Sequence, residues 1–238
     1  MNKLKNIDIA ILCGGLGKRL RPAIGESQKV MANVNDAPFL NILFRSIAIQ
    51  GGKRVILLTG YKAETVEEYY KKNSFGLAID FSREASPLGT GGALKNARSL
   101  IKTDPFMMMN GDSFCAVDFL KLLKFHRSQK ALATIVVREI EDAKDYGSIT
   151  LNAQKEIVGF EEKAKGGKAY INAGVYCFNN GIFGLMPKDN AFFLERDFFP
   201  GIAGNRFFGF VVNNEFIDVG VPHRYEKAKK IFKAFKAR

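Results

Sequence analysis

Ile9-Ala10-Ile11-Leu12-Cys13-Gly14-Gly15-Leu16-Gly17-Lys18-Arg19-Leu20-Arg21-Pro22 is the stretch around which the 238-residue chain is organised. Its apolar start reads as a buried strand. It then places three glycines in four positions and meets three cations within the next few residues. Glycine lets backbone come close to a ligand with its N–H groups turned inward, which suits phosphate oxygens. Lys18, Arg19 and Arg21 add positive charge at the same place. A tight strand-to-helix turn accounts for the glycines but not for the cations. The loop has neither the GxGxxG spacing of a dinucleotide fold nor the GxxxxGK[ST] of a Walker loop.

Working outward, apolar runs alternate with helical spacing. Ile7–Cys13, Val55–Thr59, Leu77–Ser82, Phe106–Met109 and Ala131–Val137 read as strands. Ala37–Gln50, Glu64–Lys72, Gly91–Ser99 and Val117–Ser128 read as helices, the first beginning at Asp36-Ala37-Pro38. This alternation predicts an α/β fold with a doubly wound, mostly parallel sheet, in which ligands bind at the carboxyl ends of the strands. The loops Gly14–Arg19, Glu84–Gly92 and Asn110–Ser113 all fall on that edge. The second half is expected to be mixed. Tyr146–Thr150 and Ile157–Phe160 read as an antiparallel pair, Tyr170–Phe178, Phe207–Val212 and Glu215–Val219 as further strands, and Tyr225–Lys236 as a basic last helix. No linker or composition break divides the chain. A single domain is expected, with an α/β half over about residues 1–135 and a mixed half over about 136–238.

Composition narrows the function classes. An apolar share of 47% and a charged share of 25% are those of a soluble globular protein. No apolar run reaches membrane-spanning length, and the N-terminus enters the first strand without a signal-peptide core, so a cytoplasmic protein without a membrane partner is expected. Cys13, Cys115 and Cys177 are far apart and read as buried, reduced thiols. The net charge of +12 admits nucleic acid or a polyanionic small substrate. No groove-reading module or stacking platform is present, and much of the excess lies on the last helix, at Lys227, Lys229, Lys230, Lys233, Lys236 and Arg238. The small polyanion is therefore favoured and nucleic acid is not expected.

Leu12–Leu20 resembles the signature loop GGxGTRLxP of the sugar-1-phosphate nucleotidyltransferases, with Lys18 in place of the usual Thr. The family's Pro-Lys pair appears as Gln28-Lys29. Pro87–Ala93, Asn110-Gly111-Asp112, Phe160–Lys163, Asn172–Tyr176 and Phe216–Gly220 resemble further family motifs, in the family's order. The match runs over roughly residues 7 to 228 and implies a Rossmann-like nucleotide-diphospho-sugar transferase fold. It implies transfer of a nucleoside monophosphate from NTP to a sugar 1-phosphate, with pyrophosphate released. The attacking phosphate oxygen is already ionised, so no general base is needed, and charge neutralisation carries the chemistry.

Carried onto this chain, the resemblance makes Arg19 and Lys29 catalytic. Arg19 would hold the β and γ phosphates, and Lys29 would lie between the α-phosphate and the sugar phosphate. Leu12, Gly14, Gly15, Gly17, Lys18, Glu84, Pro87, Leu88, Gly89, Thr90 and Gly111 are the expected nucleotide contacts. Asp112 and Asp218 are the expected Mg²⁺ ligands, although a turn acid and a strand-end acid would look the same. Tyr146, Gly147, Glu162, Lys163 and Asn172 are expected on the sugar side. Glu84 offers only acceptors, which suits the N1–H and N2–H₂ donors of guanine, although a surface acid beside Arg83 is the plainer reading. Leu194–Pro200 resembles a segment of guanylyltransferases acting on mannose and manno-heptose phosphates, and reads equally as a helix with buried phenylalanines. These features point to GTP and a manno-configured sugar 1-phosphate, D-glycero-α-D-manno-heptose 1-phosphate first, giving GDP-heptose for surface polysaccharide. Mannose 1-phosphate, or a uridylyl, cytidylyl or thymidylyl transfer, stays open. So do a glycosyltransferase, which Asn110-Gly111-Asp112 disfavours for want of a first acid, a non-catalytic nucleotide-sugar sensor, and assembly into a homo-oligomer.

Overall fold

The computed structural model describes residues 4–161 and 167–235. β1 (Asp8–Leu12), β2 (Arg54–Thr59), β3 (Ala78–Arg83) and β4 (Phe106–Asn110) lie parallel in the order β3-β2-β1-β4. β9 (Ala169–Phe178) runs antiparallel beside β4, and β6 (Ala133–Ile140) and β10 (Phe207–Val212) complete the row. β7 (Ser148–Leu151) and β8 (Ile157–Glu161) form the expected antiparallel pair, attached through β7 to β9. β5 (Ser113–Cys115) and β11 (Phe216–Asp218) make a separate antiparallel pair, with Asp218 opposite Ser113. The sheet is mostly parallel in its first half and mixed in its second.

Period-two alternation splits the strands between two core layers. Ile9, Ile11, Met107, Met109, Val175 and Cys177 face one layer, whereas Ala10, Phe106, Met108, Tyr176 and Phe178 face the other. After the short α1 (Arg21–Ile24), the first layer is closed by α2 (Leu40–Ile49), α3 (Ala63–Lys72), α5 (Phe119–Ser128) and α6 (Pro222–Phe235), which bury Phe44, Val66, Leu122 and Ala228 against it. The second is closed by α4 (Gly89–Asn96) and by the segment 182–202, through Leu94, Phe192, Phe198 and Phe199. Leu194–Pro200 is not an α-helix. It is a π-helical turn, Leu194–Phe198, followed by a 3-10 turn, Phe199–Ile202, and its two phenylalanines are buried as expected.

The start of α2 also departs from expectation. Asp36-Ala37-Pro38 is not a helix cap. Asn35 and Asp36 both take positive φ, Val34 N–H donates to the Ala37 carbonyl, and Asn33 bridges Pro38, so a tight hairpin turn precedes the helix. α6 begins earlier than expected, at Pro222, where the missing N–H costs nothing. Lys227, Lys230 and Lys233 are exposed on it, and all three cysteines are buried free thiols.

Candidate active site

The carboxyl ends of β1, β3 and β4 deliver the three predicted loops to one cavity of about 300 Å³. Leu12, Gly14, Gly15, Lys29, Glu84, Pro87, Gly89, Thr90, Gly111 and Asp112 line it, all of them predicted contacts. Gly17, Lys18, Arg19 and Leu88 do not. Lys18 and Arg19 are exposed, in the turn closed by Leu20 N–H on the Gly17 carbonyl and anchored by the buried Leu20. Two of the three glycines are explained locally, whereas a Cβ on Gly15 would meet open space. A Cβ on Gly14 would stand 2.8 Å from Glu84 Oε1, and Gly17 has φ +60° and lies against the Lys29 side chain.

Glu84 is half-buried. Its Oε2 accepts the Leu88 N–H at 3.1 Å, and burial raises its carboxyl above the usual range, partly offset by that bond. One oxygen therefore holds the loop that carries Pro87 and Thr90, and the other lies beside Gly14 and Gly60.

Lys29 is placed by Gln28, which the sequence offered only as a substitute for the family's proline. Gln28 is buried. Its Oε1 accepts Val30 N–H at 2.7 Å and its Nε2 donates to the Cys13 carbonyl, so the turn is tied to the end of β1. Lys29 Nζ bonds Asp112 Oδ2. The β5–β11 pairing brings Asp218 to the same place: Val219 N–H donates to the Asp112 carbonyl at 3.0 Å, and a Cβ on Gly220 would lie 2.7 Å from Asp218 Oδ1 and 3.2 Å from Lys29 Nζ. Asp112 thus holds the Lys29 ammonium, and Asp218 stands close by with its own ion pair to Arg224. No group of three or more His, Cys, Asp or Glu gathers among the described residues. Two hard oxygen donors without a protein cage fit Mg²⁺, which completes its shell with phosphate oxygens and water.

A second cavity, of about 540 Å³, opens next to the first, and Phe193 lines both. Tyr146, Gly147 and Asn172 line it as predicted. Glu162 and Lys163 lie outside the described residues. Glu195 and Arg196 also line it and were not singled out individually by the sequence. Arg224 was missed altogether. It donates to Asp218 Oδ2, reaches Asp145 at 3.4 Å, and stacks over Tyr146 with its Cζ 4.5 Å from the ring centroid. It therefore links the carboxylate pair to the wall of the second cavity. An arginine in the first turn of a basic helix carries no motif that would reveal this.

Residues 9–231 match the model of the family described as nucleotidyl transferase. A D-glycero-alpha-D-manno-heptose 1-phosphate guanylyltransferase from Aneurinibacillus thermoaerophilus is 37% identical over 225 residues, covering 94% of this chain and 97% of the relative. A mannose-1-phosphate guanylyltransferase from Mycobacterium tuberculosis is 33% identical, and the match covers 92% of this chain but 62% of that protein. The crystal structure of HddC from Yersinia pseudotuberculosis complexed with GMP-PN has a TM-score of 0.85 at 35% identity, covering 95% of this chain and 99% of that one.

Proposed function

The chain belongs to the nucleotidyl transferase family and is a sugar-1-phosphate nucleotidyltransferase, and from that premise we propose that it transfers GMP from GTP to D-glycero-α-D-manno-heptose 1-phosphate, releasing pyrophosphate. The observation that carries the sugar is the higher identity to the heptose-phosphate relative, 37% over 94% of this chain, against 33% over 92% for the mannose-phosphate relative. Glu84 in the first cavity supports the base. The product, GDP-heptose, is a donor suited to surface polysaccharide synthesis, which a cytoplasmic enzyme would supply.

The chemistry follows from the two adjoining cavities. The first takes the nucleotide and the second the sugar, so the sugar phosphate would meet the α-phosphorus near Lys29. An oxygen of the sugar phosphate forms the new P–O bond, the bond to the β-phosphate breaks, and pyrophosphate leaves. That oxygen is ionised at neutral pH, and neither histidine is needed as a base: His126 is buried far along the chain against Thr134 and Asn179. Lys29 neutralises charge between the two phosphates, exchanging its bond to Asp112 for phosphate oxygens. Gly14 and Gly15 give close backbone approach, and Arg19, with Lys18 beside it, reaches from the exposed turn to the departing pyrophosphate. Asp112 and Asp218 would hold Mg²⁺, which would supply further charge neutralisation on the triphosphate.

A matrix of four nucleoside triphosphates against heptose, mannose and glucose 1-phosphates, read by pyrophosphate release with Mg²⁺ present, tests the proposal. GTP with the heptose phosphate is expected to turn over fastest. Equal turnover with UTP or CTP would overturn the base, and faster turnover with mannose 1-phosphate would favour the second reading, a mannose-1-phosphate guanylyltransferase.

A further inference from the structure

Thr90 lines the first cavity, Asn172 the second, and a continuous chain of hydrogen bonds joins them through Glu195 and Tyr176. Thr90 Oγ1 donates to Glu195 Oε2 at 2.8 Å and accepts the Leu194 N–H at 2.8 Å. Tyr176 O–H faces Glu195 Oε1 at 3.3 Å and Asn110 Oδ1 at 3.5 Å. Asn172 Nδ2 donates to the Tyr176 oxygen at 2.8 Å, and Asn172 Oδ1 accepts the Gly174 N–H at 2.9 Å.

Donors and acceptors in this chain can be assigned without ambiguity. A carboxylate only accepts, so Thr90 and Tyr176 both donate to Glu195. Tyr176 has one proton, and the nearer, charged oxygen of Glu195 holds it against Asn110. The phenol oxygen is then free to receive Asn172, and the Gly174 N–H fixes which end of the Asn172 amide faces it. The second Nδ2–H of Asn172 is left for the cavity that Asn172 lines. Tyr176 is itself fully buried, so its oxygen moves only if its partners do.

We propose that Glu195 is a positioning residue for the sugar: it anchors the Tyr176 oxygen and thereby aims the Asn172 amide as a donor toward a sugar hydroxyl. The proposal rests on the reading of the second cavity as the sugar site. A glutamine at this position can take the Thr90 hydroxyl proton only with its carbonyl. Its N–H then turns to Tyr176 and competes with Asn172 for the same oxygen, while the tyrosine proton shifts to Asn110. An aspartate keeps the acceptor-only chemistry on a shorter arm.

Steady-state kinetics of E195Q, E195D and wild type, with GTP and either heptose or mannose 1-phosphate varied in turn, tests this. For E195Q the KM for sugar phosphate is expected to rise about tenfold, the effect of one misdirected hydrogen bond, with the KM for GTP moving less than about twofold. E195D is expected to recover part of the loss. Should E195Q fail to fold, Y176F, which keeps the buried ring, is expected to show the same one-sided rise. An unmoved sugar KM, or equal rises in both, overturns the role of Glu195 while the proposed function stands. A wild type that turns over neither sugar phosphate with GTP overturns the reading and this inference together.

Discussion

Glu84 combines two tasks that are usually given to separate residues. One oxygen accepts the Leu88 N–H and so shapes the loop under the nucleotide, and the carboxylate lines the cavity where the base is expected. The loop task survives replacement by glutamine, whose carbonyl can take the same N–H, whereas the paired acceptor for guanine does not. E84Q is therefore expected to keep its fold and to lose GTP-over-UTP preference by about tenfold or more, as befits a hydrogen bond to a charged group. Competition between the two nucleotides in the pyrophosphate assay reads this directly. pH gives a second readout. Burial holds the Glu84 carboxyl above the ordinary glutamate range, so it takes up a proton while exposed acids are still ionised. Acceptor capacity is lost as pH falls through that raised value. The kcat/KM for GTP should accordingly decline early in acid in the wild type, and that limb should be missing from the E84Q profile. An unchanged acid limb would assign the loss to another group.

At the scale of elements, the strands and most helices were legible because their periods are unambiguous: β10 was read with its observed bounds, and β1, β2, β4 and β9 to within about two residues at each end. The misread stretches are those where local chemistry overrides period. Asn35-Asp36 turns a hairpin because both residues tolerate positive φ. Ser113–Cys115 is too short for an alternating pattern and is a strand only because Phe216–Asp218 lies beside it. That same pairing brings Asp112 and Asp218 together, so their convergence was expected from motif and became visible only through a contact across about a hundred residues. Arg224 and Gln28 were illegible for a related reason: Arg224 is held by side chains outside its helix, and Gln28 ties its own turn, through the Val30 N–H, to the Cys13 carbonyl at the end of β1.

His126 shows an element-scale device with a pH signature. It ties α5 to β6 through Thr134 and to Asn179 after β9, and burial lowers its basicity. Above the ordinary histidine pKa of about 6.5 it is neutral both folded and unfolded, and its contribution is intact. As pH falls below that value the unfolded chain takes up a proton that the folded chain refuses. Stability is then lost, by at most about 1.4 kcal/mol per pH unit for one proton, until the lowered folded pKa is reached. Urea unfolding at pH 7 and pH 5.5 should show this loss in the wild type. H126Q should be less stable at pH 7 and flatter between the two; an equally steep dependence in the variant would place the proton elsewhere.

Across the whole molecule, the sheet separates stability from chemistry by placing them at opposite strand ends. The amino end of the parallel half is closed by an ionic cluster. Asp8, 4% exposed, pairs with Arg54 at 2.7 Å and accepts the Lys102 N–H at 2.6 Å, and Arg54 also reaches Asp80 at 2.6 Å and the Leu100 carbonyl at 2.9 Å. The cavities lie at the carboxyl end. From Asp8 to Leu12 is four steps of about 3.3 Å, so about 13 Å of buried strand stands between the cluster and the nucleotide loop. Removing Asp8 takes away one of the two carboxylates on Arg54 and leaves the Lys102 and Thr103 N–H groups without their acceptor, which costs about 3 kcal/mol. D8A should show that loss in urea unfolding. Its KM for GTP and for sugar phosphate, measured well below the melting transition, should stay within about twofold of wild type, because nothing on the carboxyl edge touches Asp8. A larger shift in either KM would mean that β1 transmits strain along its length, and that the two ends of the sheet are energetically coupled.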